Sequence, residues 1–139
     1  MIYTQSIDWT TFYAALDRAK KEMADERFDA IVAVAQGGII PAALLQQEWE
    51  IPMSIVRINY RDHENKPRFD DARLLDETPC PYQGKKILLV DDVSRTGRTL
   101  ARARAWLDGN TVKTFLINGK ADHRLYDTEE CLRMPWKRD

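Results

Sequence analysis

An α/β fold is what this sequence predicts: a single domain over residues 1–139, built on a parallel sheet with helices on both faces. Three features of the chain predict it. Apolar, largely β-branched or leucine-rich runs at 28–35, 51–60, 85–90 and 111–118 read as buried strands. The first three of these runs are each followed by a segment long enough for a helix or crossover, as parallel connections require. Finally, 139 residues with 44% hydrophobic and 31% charged content suit one soluble globular core.

The elements follow in chain order. Asp8 is placed to cap a helix in which Trp9, Phe12, Leu16, Ala19 and Met23 recur at three- and four-residue spacing. "FDAIVAVA" (28–35) is a fully buried strand ended by Gly37-Gly38, and "IIPAALLQQEW" (39–49) is a helix that tolerates Pro41 in its first turn. After the strand "IPMSIVRINY" (51–60), residues 61–84 form a polar, proline-bearing excursion with a short hairpin expected around Lys66-Pro67. Loops of that length are functional lids or disordered. "KKILLV" (85–90) is the third strand, Thr99 to Leu107 a helix with Leu100, Ala103 and Leu107 on one face, and "TVKTFLIN" (111–118) the fourth strand. The tail from Gly119 to Asp139 reads as irregular, with a last strand at "CLRM". Trp9, Trp49 and Trp106 read as core or interface residues, and Arg102 and Arg104 as a solvated face.

Composition excludes several classes. A net charge of −1 and a pI near 6.1 argue against an electrostatic nucleic-acid binder. Cys80 and Cys131 make no metal-ligand pattern and read as cytosolic thiols. No apolar run approaches the ~20 residues that span a bilayer, and "MIYTQSIDW" has no signal-peptide pattern, so a cytoplasmic location is expected. His63 and His123 lie far apart and read as surface residues, and Tyr126 as packing. Neither a G-x-x-x-x-G-K-[ST] loop nor a G-x-G-x-x-G turn occurs. A phospho-acceptor receiver domain would carry its acid pair after the first strand, not the third.

Parallel sheets bind ligands at the carboxyl ends of their strands. Three strands end in suggestive chemistry: "AQGG" (35–38), "DDVSRTGRT" (91–99) and "NGKAD" (118–122). Asp91 and Asp92 end a buried strand, where carboxylates lose hydration and need partners to restore it. Vicinal diol hydroxyls or hydrated Mg²⁺ would serve. The loop beyond supplies backbone N–H groups, Gly97 for close approach and the hydroxyls of Ser94, Thr96 and Thr99, and it opens into a helix N-terminus. That is an anion cradle. A diol beside a phosphate describes a ribose 5-phosphate. Taken singly, the acids could cap a turn and Thr99 a helix; the whole pattern between strand and helix favours the ligand.

"ILLVDDVSRTGRT" (87–99) resembles the phosphoribosyl-pyrophosphate (PRPP) motif of type I phosphoribosyltransferases. "AVAQGGIIPAALL" (33–45) resembles the pyrophosphate loop of the bacterial xanthine-guanine enzymes, "INYRDHEN" (58–65) the start of their mobile catalytic loop, and "TFLINGKAD" (114–122) the strand before their base-contacting lysine. The terminal "MPW" (134–136) is similar to the end of their hood, which would here span about 119–139. The resemblance implies a type I phosphoribosyltransferase fold with a short C-terminal hood. It implies transfer of ribose 5-phosphate from PRPP to a purine-type nucleobase with release of pyrophosphate, Mg²⁺ as cofactor, and a homodimer or homotetramer. Asp91 and Asp92 would hold the ribose hydroxyls, and with them Mg²⁺ carried by PRPP. Ser94, Arg95, Thr96, Gly97, Arg98 and Thr99 would wrap the 5-phosphate. Gln36, Gly37 and Arg57 would meet the pyrophosphate, Tyr60 would join Asp91 and Asp92 in catalysis by closing over PRPP, and Lys120 and Trp136 would contact the base. Relatives also place a non-proline cis peptide before the glycine pair, which corresponds to Ala35–Gln36.

One departure bears on the base. Purine members carry an aspartate just before T-G in the PRPP loop, where this chain has Arg95. An arginine stays protonated and cannot act as a base. Weak turnover of ordinary 6-oxopurines is therefore expected. A non-catalytic PRPP- or nucleotide-binding regulator on the same fold is the alternative.

Overall fold

A computed structural model describes residues 2–59, 73–75 and 78–138, with Asn59 described through its backbone only. The mobile-loop motif beyond Asn59, with Tyr60, His63 and the hairpin expected at Lys66-Pro67, lies outside the described residues. Eleven elements follow one another: β1 (Gln5–Ser6), α1 (Trp9–Glu22), β2 (Ala30–Ala35), α2 (Ile39–Trp49), β3 (Met53–Asn59), β4 (Arg73–Leu74), β5 (Lys86–Val93), α3 (Arg98–Trp106), β6 (Thr111–Asn118), β7 (His123–Tyr126) and β8 (Leu132–Arg133).

The main sheet has the order β4-β3-β2-β5-β6-β7. Its pairings are parallel, except that the edge strand β4 runs antiparallel to β3. Alternation of side chains then creates two cores. Ile31 and Ala33 of β2, with Leu88 and Val90 of β5, face α1 and α2 and pack with Phe12, Leu16 and Leu45. Val32 and Val34, with Ile87 and Leu89, face α3 and pack with Leu100, Ala103 and Leu107. Both faces of the central strands are thus buried, which is why β2 and the first half of β5 read as continuous apolar runs rather than alternating ones. Helices cover both faces, as the sequence predicts.

Local signals decide the helix boundaries. The Asp8 carboxylate accepts a hydrogen bond of 2.7 Å from the Thr11 N–H and so caps α1. That hydrogen bond holds the Asp8 carboxyl below its ordinary pKa. Phe12, Leu16 and Ala19 are buried, but Trp9 on the predicted apolar stripe is 42% exposed, stacked on Tyr13 at 5.5 Å. The stripe continues past the edge of the core. α2 spans the predicted residues and ends at Glu50, whose φ of 53° closes the helix through its N–H to the Gln46 carbonyl.

The chain termini meet. β1 pairs in parallel with β8 in a separate two-stranded sheet, and Thr4 and Cys131 exchange backbone and side-chain hydrogen bonds beside it. The tail is therefore built with the N-terminal segment as well. The tail is also more regular than expected, since β7 continues the main sheet beside β6. Among the described residues no helix is long and apolar enough to cross a membrane.

Candidate functional site

β5 runs three residues further than its apolar stretch. Asp91 pairs with Leu116 and Val93 with Asn118 of β6, so both acids lie within the strand, at its carboxyl end. Asp91 is 6% exposed. Its Oδ1 accepts the Asp92 N–H at 2.8 Å, and Asp92 Oδ1 accepts the Val93 N–H at 2.7 Å. Burial, and then the neighbouring Asp92 charge, push the Asp91 carboxyl well above the usual carboxylate range. The pair is thus built to carry one negative charge more readily than two.

The β2 loop is pressed onto this pair. A Cβ built on Gly37 would lie 2.2 Å from Cγ of Asp92, and one on Gly38 would lie 2.2 Å from the Val90 carbonyl oxygen. Neither position has room for a side chain, which is the physical reason for two glycines after "AVAQ". The Ala35–Gln36 peptide is cis, as the resemblance implies. Arg57 of β3 pairs in register with Ala35 and is exposed beside the same strand end.

Beyond β5, the loop passes Ser94, Arg95 and Thr96 to Gly97, whose φ of 78° turns the chain into α3. Gly97 occupies the cap position and no side chain caps the helix there, so Thr99 lies inside the first turn instead of capping it. Thr96 Oγ1 accepts the Arg98 N–H at 3.3 Å. The first turn of α3 directs backbone N–H groups and the positive end of the helix dipole toward this loop, a setting that suits an anion.

β6 brings in the third loop. A Cβ on Gly119, whose φ is 133°, would lie 3.3 Å from the Ser94 carbonyl, so the two strand-end loops pack backbone to backbone. Lys120 follows, exposed. At the far side of its loop, Asp122 Oδ2 accepts the Thr114 N–H at 2.9 Å and the Thr114 hydroxyl at 3.2 Å, with Arg104 of α3 at 3.7 Å. Burial opposes the Asp122 charge, but these Thr114 hydrogen bonds and the charges of Lys113 and Arg104 outweigh it and hold its pKa low. Asn118, buried, clasps the tail: its amide donates to the carbonyls of Thr128 at 3.0 Å and Glu130 at 3.3 Å, and its oxygen accepts the Thr128 N–H at 3.0 Å.

The structure therefore gathers Gln36, Gly37, Arg57, Asp91, Asp92, the 94–99 loop and Lys120 at the carboxyl ends of β2, β3, β5 and β6. Trp136 packs against α1, edge-on to Phe12 at 5.1 Å and 5.8 Å from Trp9. Asn118, Gly119 and Asp122 carry no individual signal in the sequence beyond their place in "NGKAD". An Asn-Gly step after a strand signals a turn, but nothing local announces that Asn118 anchors residues 128–130. Among the described residues no three metal-ligating side chains cluster. Asp91 and Asp92 supply hard oxygen donors of the kind Mg²⁺ takes in ones or twos, with phosphates and water completing its shell.

The chain resembles known proteins in sequence and in fold. Over 96 residues the chain is 28% identical to a xanthine-guanine phosphoribosyltransferase of Idiomarina loihiensis, covering 68% of this chain and 58% of that one. Over another 96 it is 31% identical to an orotate phosphoribosyltransferase of Saccharolobus solfataricus, covering 69% and 45%. The chain thus spans about half the length of the curated relatives it matches. The fold superimposes on a crystal structure of a purine phosphoribosyltransferase from Pyrococcus horikoshii with a TM-score of 0.81, at 22% identity over 97% of this chain and 94% of the other. The model of the phosphoribosyl transferase domain matches residues 8–118, a span holding the acid pair, both glycine loops and the four central strands, and the chain belongs to that family.

Proposed function

We propose that this chain is a PRPP-dependent phosphoribosyltransferase that moves ribose 5-phosphate onto a nucleobase and releases pyrophosphate. The observation that supports it is the close approach of Gly37 to the Asp92 carboxyl group, which brings a carboxylate suited to a ribose diol beside the Gln36-Gly37 backbone, on the strand whose following loop leads to an α3 N-terminus without a side-chain cap. A ribose lying across the pair would point its 5-phosphate at the 94–99 loop and its 1-pyrophosphate at Gln36 and Gly37.

The chain's own residues then have distinct tasks. The 94–99 backbone and the Ser94, Thr96 and Thr99 hydroxyls hold the 5-phosphate, with α3 adding its dipole. Asp91 and Asp92 accept from the ribose hydroxyls. Gln36, Gly37 and Arg57 orient the leaving pyrophosphate, so that the bond from the anomeric carbon breaks as a base nitrogen approaches the opposite face. Asp91 or Asp92, together with the pyrophosphate, would hold Mg²⁺, which would supply neutralisation of the leaving group's charge. Tyr60 and the segment after it would exclude water during that step. Lys120 donates to a ring carbonyl of the base, purine-type on the resemblance, and Trp136 would reach that ring only with the face that Phe12 and Trp9 leave open. The protein works in the cytoplasm as a homodimer or homotetramer.

The test is incubation with PRPP, Mg²⁺ and a panel of nucleobases while following pyrophosphate. Release dependent on one class of base is expected. PRPP binding with no release for any base would overturn the enzymatic reading in favour of a regulator on the same fold.

A further inference from the structure

Two cationic residues follow adjacent strand ends at the site. Val93 and Asn118 are paired across β5 and β6, and the next residues, Ser94 and Gly119, pack backbone to backbone. Arg95 and Lys120 come immediately after. Both are exposed, and neither enters an ion pair or hydrogen bond among the described residues. The nearest acids on these loops are otherwise engaged. Asp122 is bound to Thr114 and faces Arg104, Asp91 is buried, and Asp92 is turned to Gly37 and the Val93 N–H. Two uncompensated positive charges at the mouth of one loop pair create a local field that favours an anion.

We propose that the acceptor subsite selects a nucleobase whose ring carries a negative charge at neutral pH, through Arg95 and Lys120 together. This rests on the phosphoribosyltransferase reading and narrows its acceptor. A planar guanidinium suits a carboxylate or a deprotonated ring amide, each of which presents oxygens in its own plane. A neutral base of the same outline would leave both cations without a partner. The 5-phosphate has its own donors in the cradle, and its affinity contributes equally to nucleotides that differ only in the ring.

Calorimetric titration with matched nucleotides tests this without requiring turnover. The pairs are orotidine against uridine 5′-monophosphate, and xanthosine against inosine 5′-monophosphate, with ribose 5-phosphate as the phosphate control. The wild type is expected to bind the anionic member of at least one pair about tenfold more tightly, as a charge-assisted contact gives. Arg95→Ser and Lys120→Gln should each shrink that ratio severalfold. Because both positions are exposed, the variants keep the fold, and because the readout is a ratio, any loss of phosphate affinity cancels. Equal affinity within both pairs, or ratios unmoved in both variants, would overturn the proposal. Failure of ribose 5-phosphate and every nucleotide to bind would instead overturn the phosphate-cradle reading beneath it.

Discussion

Gly37 and Gly38 are adjacent, yet replacing each by alanine should damage different things. A methyl at Gly38 would sit 2.2 Å from the Val90 oxygen and 2.9 Å from the Val34 oxygen. Both are backbone atoms of central strands hydrogen-bonded to each other, so nothing can yield. Ordinary carbon contacts begin near 3.5 Å, and overlap of this size in a packed core costs about 3 kcal/mol. For a domain of this length that lowers Tm by about 10 °C. A methyl at Gly37 would meet the Asp92 carboxyl group at 2.2–2.5 Å. That side chain can swing aside, so Gly37→Ala should cost about 1 kcal/mol but displace the carboxylate from the ribose position. Thermal melts followed by circular dichroism, and calorimetric titration with PRPP and Mg²⁺, separate the two effects. Gly37→Ala should keep most of its Tm and lose at least about tenfold in PRPP affinity, while Gly38→Ala melts far lower. A Gly37→Ala protein that binds PRPP as the wild type does would refute the reasoning.

Asp91→Asn should raise Tm at neutral pH. The folded-state pKa of this acid lies above its unfolded value of about 3.9, so the folded state holds a proton that the unfolded chain has lost. Stability therefore falls as pH rises through that window, and the advantage of the asparagine should vanish toward pH 3. A Tm difference independent of pH would contradict this. Arg95→Asp should raise pyrophosphate release with guanine or hypoxanthine, since it restores a proton acceptor where purine enzymes carry one; a steady-state assay showing no gain would point to a different acceptor. Light scattering at micromolar concentration should give a dimer or tetramer, and a monomer would refute that assembly.

The elements legible in the sequence are those whose apolar residues are contiguous. β6 and α2 coincide with their apolar runs, because each residue's neighbours in sequence already show what it packs against. The apolar run of β5 ends at Val90, and carboxylates have poor strand propensity; the pairing of Asp91 with Leu116 and Val93 with Asn118 overrides that preference. β7 has one buried apolar residue, Leu125, beside the exposed Arg124 and the half-buried His123 and Tyr126, too little pattern to announce a strand. β1 is exposed throughout and exists because β8 lies beside it. The site divides in the same way. The acid pair, the hydroxyl loop and the glycine pair are contiguous in sequence and carry their chemistry locally. The grip of Asn118 on residues 128–130, the packing of Gly119 on Ser94 and the placement of Trp136 against Phe12 are long-range contacts, invisible until the chain is folded.

PRPP binding by the acid pair is the central claim, and calorimetric titration of PRPP with Mg²⁺ into the wild type and the Asp91→Asn/Asp92→Asn double variant tests it most directly. Both substitutions keep the side-chain oxygens that accept the Asp92 and Val93 N–H groups, so the variant should stay folded by circular dichroism. The wild type should bind PRPP, and the double variant should bind it at least about tenfold more weakly, the loss expected when a charge-assisted hydrogen bond to a ribose hydroxyl is removed. Undiminished PRPP affinity in a folded double variant would contradict the account.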